Sequence, residues 1–270
     1  MSRQAFLDPA AAAGVGVGES FELSAAEAHH AKVKRVRQGE QIDVVDGAGR
    51  RLVCEVVEAE AGVLVRVLAE ELDDAAARPR FVLVQALSKQ DRDLQAVESC
   101  VEIGIDAVIP WQADRSIVRW KDDRAAKAHA KWESQVTAAV KQSRRSTLPP
   151  VEALVSSKSL AARAAEVTAR GGLVLVLHEA ATAPLLGALE PTPDGGRPGA
   201  GTEILFVVGP EGGISDAELA TLEAAGARTV VLGTHVLRAS TAGSVALVLL
   251  LQAYGAFGAQ APAPLSPSTD

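Results

Sequence analysis

From about residue 80 onward the chain repeats one unit: a short continuous apolar run, a break, then a longer stretch of helical character. The runs fall at 81–87, 107–109, 173–177, 204–208 and 229–232, and the helical stretches at 91–103, 123–144, 159–170, 215–225 and 241–257. A run such as Ile204-Leu205-Phe206-Val207-Val208 has no polar alternation, so a strand made from it must be buried on both faces. Strands of that kind alternating with helices predict a parallel α/β sheet with crossover connections.

The first seventy or so residues follow a different pattern. Residues 41–47 and 51–57 flank the Asp46-Gly47 turn signal and read as a β-hairpin, with a further strand at 62–68. Ser24 and Glu27 match a capping box that opens a short helix through His29 and His30. A small β-barrel-like domain over 1–73 is expected, with the Ala/Gly-rich 10–18 as a loop because its glycines follow no strand. Residues 73–79 read as a linker, 191–201 as a Gly/Pro-rich loop, and 259–270 as a disordered tail after a second domain at 79–258.

One junction stands out within the second domain. The stretch Phe206 to Leu222, FVVGPEGGISDAELATL, passes from a buried strand through Gly209-Pro210 and Gly212-Gly213 to Ser215 and Glu218, a second capping box. Such a loop lies at the carboxyl end of a strand, where open α/β sheets bind ligands. It lacks the glycine and lysine spacing of a phosphate cradle, so an ordinary strand-to-helix turn is the alternative reading.

Composition narrows the classes. Cys54 and Cys100 are far apart and outside any C-x-x-C pattern, and no histidine cluster accompanies them, which argues against a disulfide framework and a metal site and for a reducing cytoplasm. The start has no secretory pattern, and the apolar run 245–251 is too short to span a bilayer. The formal charge of −7 hides two basic stretches. Residues 29–37 carry Lys32, Lys34, Arg35 and Arg37 with no acid, and 115–145 carry nine Lys/Arg against Asp122, Asp123 and Glu133. Local basic patches on an acidic body fit an RNA footprint; solvated helix faces are the alternative. Trp111, Trp120 and Trp132 fall in or beside the second stretch, as base-stacking platforms or as core anchors.

Three strand ends carry unusual residues: VLHE at 176–179, VVGPEGGISDAEL at 207–219, and LGTHVLRASTAGSVAL at 232–247. With HHAKVKRVRQGE, VVDGAG, the run from Ser88 to Trp120 and KQSRRSTLPPV, they resemble the bacterial uridine-N3 methyltransferases of 16S ribosomal RNA, in the knotted SPOUT superfamily. The resemblance covers nearly the whole chain. Many relatives have Thr-Glu-Thr after the arginine where this chain has Ala239-Ser240-Thr241, so no role of that glutamate carries over.

The resemblance implies a PUA-like RNA-binding domain, a methyltransferase domain with a trefoil knot, a homodimer, and S-adenosylmethionine held by the knot loops. The matching cofactor positions are Leu177, Gly209, Gly213, Leu232, Val236 and Leu237, with His178, Pro210, Glu211, Gly212, Gly233 and Ala242 alongside. For the chemistry at N3, Glu211 is the candidate proton acceptor or else a loop-capping carboxylate. Arg238 is the candidate anion stabiliser or else a structural ion pair. Arg3, Lys34, Arg35, Arg37, Lys89 and Arg115 are expected to hold the RNA. A tRNA ribose methyltransferase and a non-catalytic assembly factor are the rival functions.

Overall fold

The computed structural model describes residues 3–60, 62–73, 78–121, 123–190 and 196–257. The expected tail at 259–270 lies outside the described residues, as do 74–77 of the linker and 191–195 of the Gly/Pro-rich loop. The N-terminal part is a five-stranded sheet ordered β1-β3-β4-β5-β2, from strands β1 (Gln4–Leu7), β2 (Ser20–Glu22), β3 (Gln41–Val45), β4 (Arg50–Glu58) and β5 (Leu64–Leu72). It curls around Phe6, Ile42, Val44, Leu52, Cys54 and Val65. In the β3–β4 turn, Asp46 Oδ1 accepts from the N–H of Ala48 at 2.7 Å and of Arg50 at 3.0 Å, which sets the hairpin register.

Two features of this part differ from the sequence reading. The 10–18 loop begins with a short helix, α1 (Pro9–Ala12), because Asp8 caps it and Pro9 suits its first position. The strands β1 and β2 also escape local patterning: they are short edge strands whose formation depends on β3 and β5 as partners. Helix α2 (Ala25–Val33) starts at Ser24, whose side chain accepts from the N–H of Glu27.

The second part is a six-stranded sheet ordered β11-β9-β10-β6-β7-β8, with every recorded pairing parallel. Its strands are β6 (Arg80–Ala86), β7 (Ala107–Gln112), β8 (Val155–Ser156), β9 (Leu173–Leu177), β10 (Glu203–Val208) and β11 (Arg228–Val230). The continuous apolar runs are explained by two cores. Phe81 and Leu83 face helices α3 (Arg92–Ile103), α4 (Asp123–Ser143) and α7 (Ala239–Ala253), whereas Val82 and Val84 face α5 (Ser157–Ala169) and α6 (Asp216–Ala224). Trp111 and Trp132 belong to these cores, and Trp120 is half-buried. Cys54 and Cys100 are free, and burial pushes both thiols up to about 12, so neither is a ready nucleophile. No helix among the described residues is long and apolar enough to cross a membrane, and no group of three metal-ligating side chains occurs among them.

The two sheets are knitted together through the segment after α4. Leu148 N–H donates to Gly47 O at 2.8 Å, Gly49 N–H to Ser146 O at 3.1 Å, and Arg51 to Arg144 O at 2.7 Å. Glu27, almost fully buried, pairs with Lys141 across the seam.

Candidate active site

Strands β11, β9 and β10 are neighbours in the sheet, and the loops leaving their carboxyl ends form one rim. His178 N–H donates to Val230 O at 3.0 Å, and Val231 exchanges backbone bonds with Ala183 and Leu185, so the segment after β9 is laced to the end of β11. The His178 ring accepts from the N–H of Ala180 at 3.2 Å, a loop-stabilising bond.

The glycine loop is shaped by backbone contacts that side chains would obstruct. Gly213 N–H closes a turn on Pro210 O at 2.9 Å, with Gly213 at φ +73°. A Cβ on Gly209 would meet Ile214 Cγ1 at 2.7 Å, and one on Gly212 would meet Arg115 Cβ at 3.1 Å. Arg115, from the loop after β7, donates to Gly212 O at 3.3 Å and Ile214 O at 3.4 Å. It therefore clamps the glycine loop, a contact that does not use the RNA role expected of it. The capping box forms as expected, and Glu218 also accepts from Asp114 N–H at 2.8 Å and Ser157 Oγ at 2.5 Å. This second role of Glu218 is invisible locally, because its donors lie 104 and 61 residues away.

Glu211 Oε1 accepts from the N–H of Lys89 at 3.1 Å and lies 3.8 Å from Arg92 Nη1. The carboxylate thus bridges the glycine loop to the loop after β6, while Oε2 has no hydrogen bond recorded among the described residues. The Lys89 side chain is exposed above this bridge. Arg238 caps α7 through its backbone, and its exposed guanidinium has no recorded partner among the described residues. Leu177, Leu232 and Leu237 are half-buried along the rim, Gly233 is open with nothing within 4 Å of a Cβ built on it, and Val236 is 74% exposed. Ala242 lies one turn into α7, and its side chain joins the core on the helix side of the sheet.

The RNA-binding candidates separate into two kinds. Lys34, Arg35 and Arg37 are exposed on the segment joining α2 to β3, and Arg35 takes a left-handed backbone at φ +59°. Arg3 instead pairs with the buried Asp43 and lies 3.7 Å from Glu71, beside Arg51. Its charge is engaged within the N-terminal sheet.

The family model described as RNA methyltransferase domain matches residues 76–251, and that described as RNA methyltransferase PUA domain matches 23–67. The chain is 42% identical to Ribosomal RNA small subunit methyltransferase E of Mycobacterium tuberculosis over 81% of this chain and 80% of that one. It is 27% identical to the protein of that name in Bacillus subtilis, over 84% and 88% of the two chains. Among solved structures, Ribosomal RNA small subunit methyltransferase E from Neisseria gonorrhoeae bound to S-adenosyl methionine superposes with a TM-score of 0.79 at 27% identity, over 93% of this chain and 98% of that one. With the family matched across the rim, both sheets and the loops that join them, this chain belongs to the RNA methyltransferases, in the family of ribosomal RNA small subunit methyltransferase E.

Proposed function

We propose that the protein transfers the methyl group of S-adenosylmethionine to N3 of a uridine in 16S ribosomal RNA, acting in the cytoplasm as a homodimer. The observation that carries this reading is the single rim formed by the loops after β9, β10 and β11, with exposed cations directly beside it. The rim fits the cofactor. Bare backbone at Gly233 leaves room for close approach, and Leu177, Leu232, Val236 and Leu237, half-buried to exposed, offer apolar cover for an adenine. When bound, S-adenosylmethionine supplies an electrophilic methyl on a sulfonium.

The chain's own residues account for the remaining requirements. A uracil must be oriented with N3 in line, so positioning contributes much of the rate. The N3 imide must also lose a proton, and negative charge then develops on the ring. Arg238, exposed at the start of α7, is suited to stabilise that anion, with Lys89 a second cation across the rim. Glu211 keeps one oxygen available as a proton acceptor while the other holds the Lys89 backbone. Its bridging bond also accounts for the loop-capping alternative, which the variant Glu211→Gln separates: a capping role preserves turnover, a proton acceptor does not.

RNA docking falls to the residues up to 73, through Lys34, Arg35 and Arg37. A knotted path is supported by the course of α7, which follows edge strand β11 yet packs against α3, β6 and β10 in the middle of the sheet. Dimerisation is supported by the same helix. One face of α7 buries Gly243, Ala246, Leu247 and Leu250, while Val245, Val248 and Leu249 stay half-exposed. The test is primer extension on 16S RNA from a strain lacking the protein and from its complemented parent. A methyl on N3 blocks the pairing edge, so reverse transcriptase should stop in the parent and read through in the deletion strain. Identical traces would remove the proposed activity.

A further inference from the structure

A cavity of about 320 Å³ opens between the loop after β6 and the first half of α4, lined by Trp120, Trp132, Arg119, Arg124, Lys131 and Asp93 among others. It belongs to neither the glycine loop nor the basic segment after α2, yet it shares a wall with the rim. Ser88, Gln90 and Asp91 line it, and the intervening Lys89 is the residue whose N–H is held by Glu211. Gln90 and Asp91 are consecutive left-handed residues at φ 56° and 55°, a backbone form that side chains resist and that clusters at ligand sites.

The lining chemistry is specific. Trp120 is half-buried and meets Trp132 and His129 edge-on, at 5.5 Å and 6.3 Å, so no ring is stacked parallel on it among the described residues. Arg119, Arg124 and Lys131 are all exposed. Lys131 is balanced by Asp91 at 2.8 Å, and Arg119 spends one donor on Asp114 O at 2.8 Å. Asp93 is buried on the cavity wall, and its carboxylate oxygens accept from the N–H groups of Ser88 at 3.1 Å and Leu94 at 2.9 Å. A half-buried indole on the cavity wall with exposed cations around it suits a group that is flat on one part and anionic on another.

We infer that this cavity holds one nucleotide of the substrate RNA beside the methylated uridine, its base stacked on Trp120 and its phosphate at Arg124 and Arg119. The inference rests on the RNA-methyltransferase reading and extends it to a second subsite, whose wall passes directly into the rim through Lys89. A nucleotide seated there would fix the register of the strand relative to the glycine loop, to which Lys89 is bonded through Glu211.

The test uses the full-length protein and small-subunit RNA from a strain lacking it. Trp120→Leu should weaken RNA binding about 5- to 150-fold, the range for loss of one stacked base. Arg124→Glu should weaken it as well and make its salt dependence shallower. Both variants should bind S-adenosylmethionine as wild type does. Of the two tryptophans lining the cavity Trp120 is the more exposed, so RNA should quench chiefly Trp120, and Trp120→Leu should lose most of that quench. Should Trp120→Leu misfold, Trp120→Phe retains a ring and most of the affinity, and the surface change Arg124→Glu still decides. Wild-type RNA affinity and turnover in both Trp120→Leu and Arg124→Glu would overturn the subsite. A wild-type protein that neither binds nor methylates this RNA would overturn the function itself, and the subsite with it.

Discussion

Glu218 Oε1 accepts the backbone N–H of Asp114 at 2.8 Å, joining the helix after the glycine loop to the loop after β7. Burial would raise this carboxyl, but hydrogen bonds from Ser157, Asp114 and Ser215 outweigh it, and the pKa is lowered. Because the folded value lies below the unfolded one, the stabilisation is complete above the unfolded pKa of about 4.3 and is lost as pH falls through the folded value. Glu218→Gln should therefore cost about 1–3 kcal/mol in urea unfolding at pH 7 and much less at about pH 3. An equal deficit at both pH values would show that the carboxylate charge is not what holds the three elements.

The glycine loop offers a sharper test of cofactor binding. Gly213 sits at φ +73°, so Gly213→Val forces a branched side chain into a left-handed backbone at a cost of about 1–3 kcal/mol. Gly212→Val drives a side chain against Arg115, whose backbone oxygen lies 3.2 Å from the new Cβ. Calorimetry with S-adenosylmethionine should show affinity reduced at least about tenfold in either folded variant, equivalent to about 1.4 kcal/mol. Unchanged affinity would mean the glycines serve only the turn.

Arg238 is exposed and without a recorded partner among the described residues, so Arg238→Ala should change stability by no more than about 0.5 kcal/mol. Turnover should fall by about 10²–10³, the range for loss of one preorganised anion-stabilising donor, with little change in cofactor affinity. Steady-state kinetics paired with sedimentation distinguishes this from a role at the dimer contact. Monomers with full turnover in the residual dimer would reassign the residue.

The basic segment after α2 should act through phosphates alone. Reversing Lys34, Arg35 and Arg37 to Glu should weaken RNA binding for any sequence and flatten the log–log salt slope by about 0.7–0.9 for each phosphate no longer neutralised. Filter binding across a salt series measures it. An unchanged slope would make these side chains merely solvated.

At the seam between the two sheets, Lys141 compensates Glu27, whose side chain is 7% exposed. Among the described residues, Lys141→Ala leaves that carboxylate with His30 alone, at 3.4 Å. Stability should drop by about 1–3 kcal/mol, the range for a buried acceptor left without its partner. Thermal unfolding of Lys141→Ala beside the double variant Lys141→Ala/Glu27→Gln checks this, since removing both charges should recover part of the loss.

What the chain's local patterns determine are features whose physics is confined to neighbouring residues. The parallel strands follow from apolar runs buried on both faces, α6 from the Ser215 and Glu218 caps, the β3–β4 hairpin from Asp46, and the turn at Gly213 from a backbone angle favoured by glycine. Family likeness added the expectation that the loops after β9, β10 and β11 together hold a cofactor. Only the tertiary structure decided which distant groups meet. The five-residue β3 recruits β1 as a parallel neighbour, and that pairing brings Arg3 to Asp43. The sheet order places β7 where its following loop can deliver Arg115 to the glycine loop and Asp114 to Glu218. Charges and donors at such separations have no local signature, because their desolvation and pairing energies exist only once the strands have fixed their order.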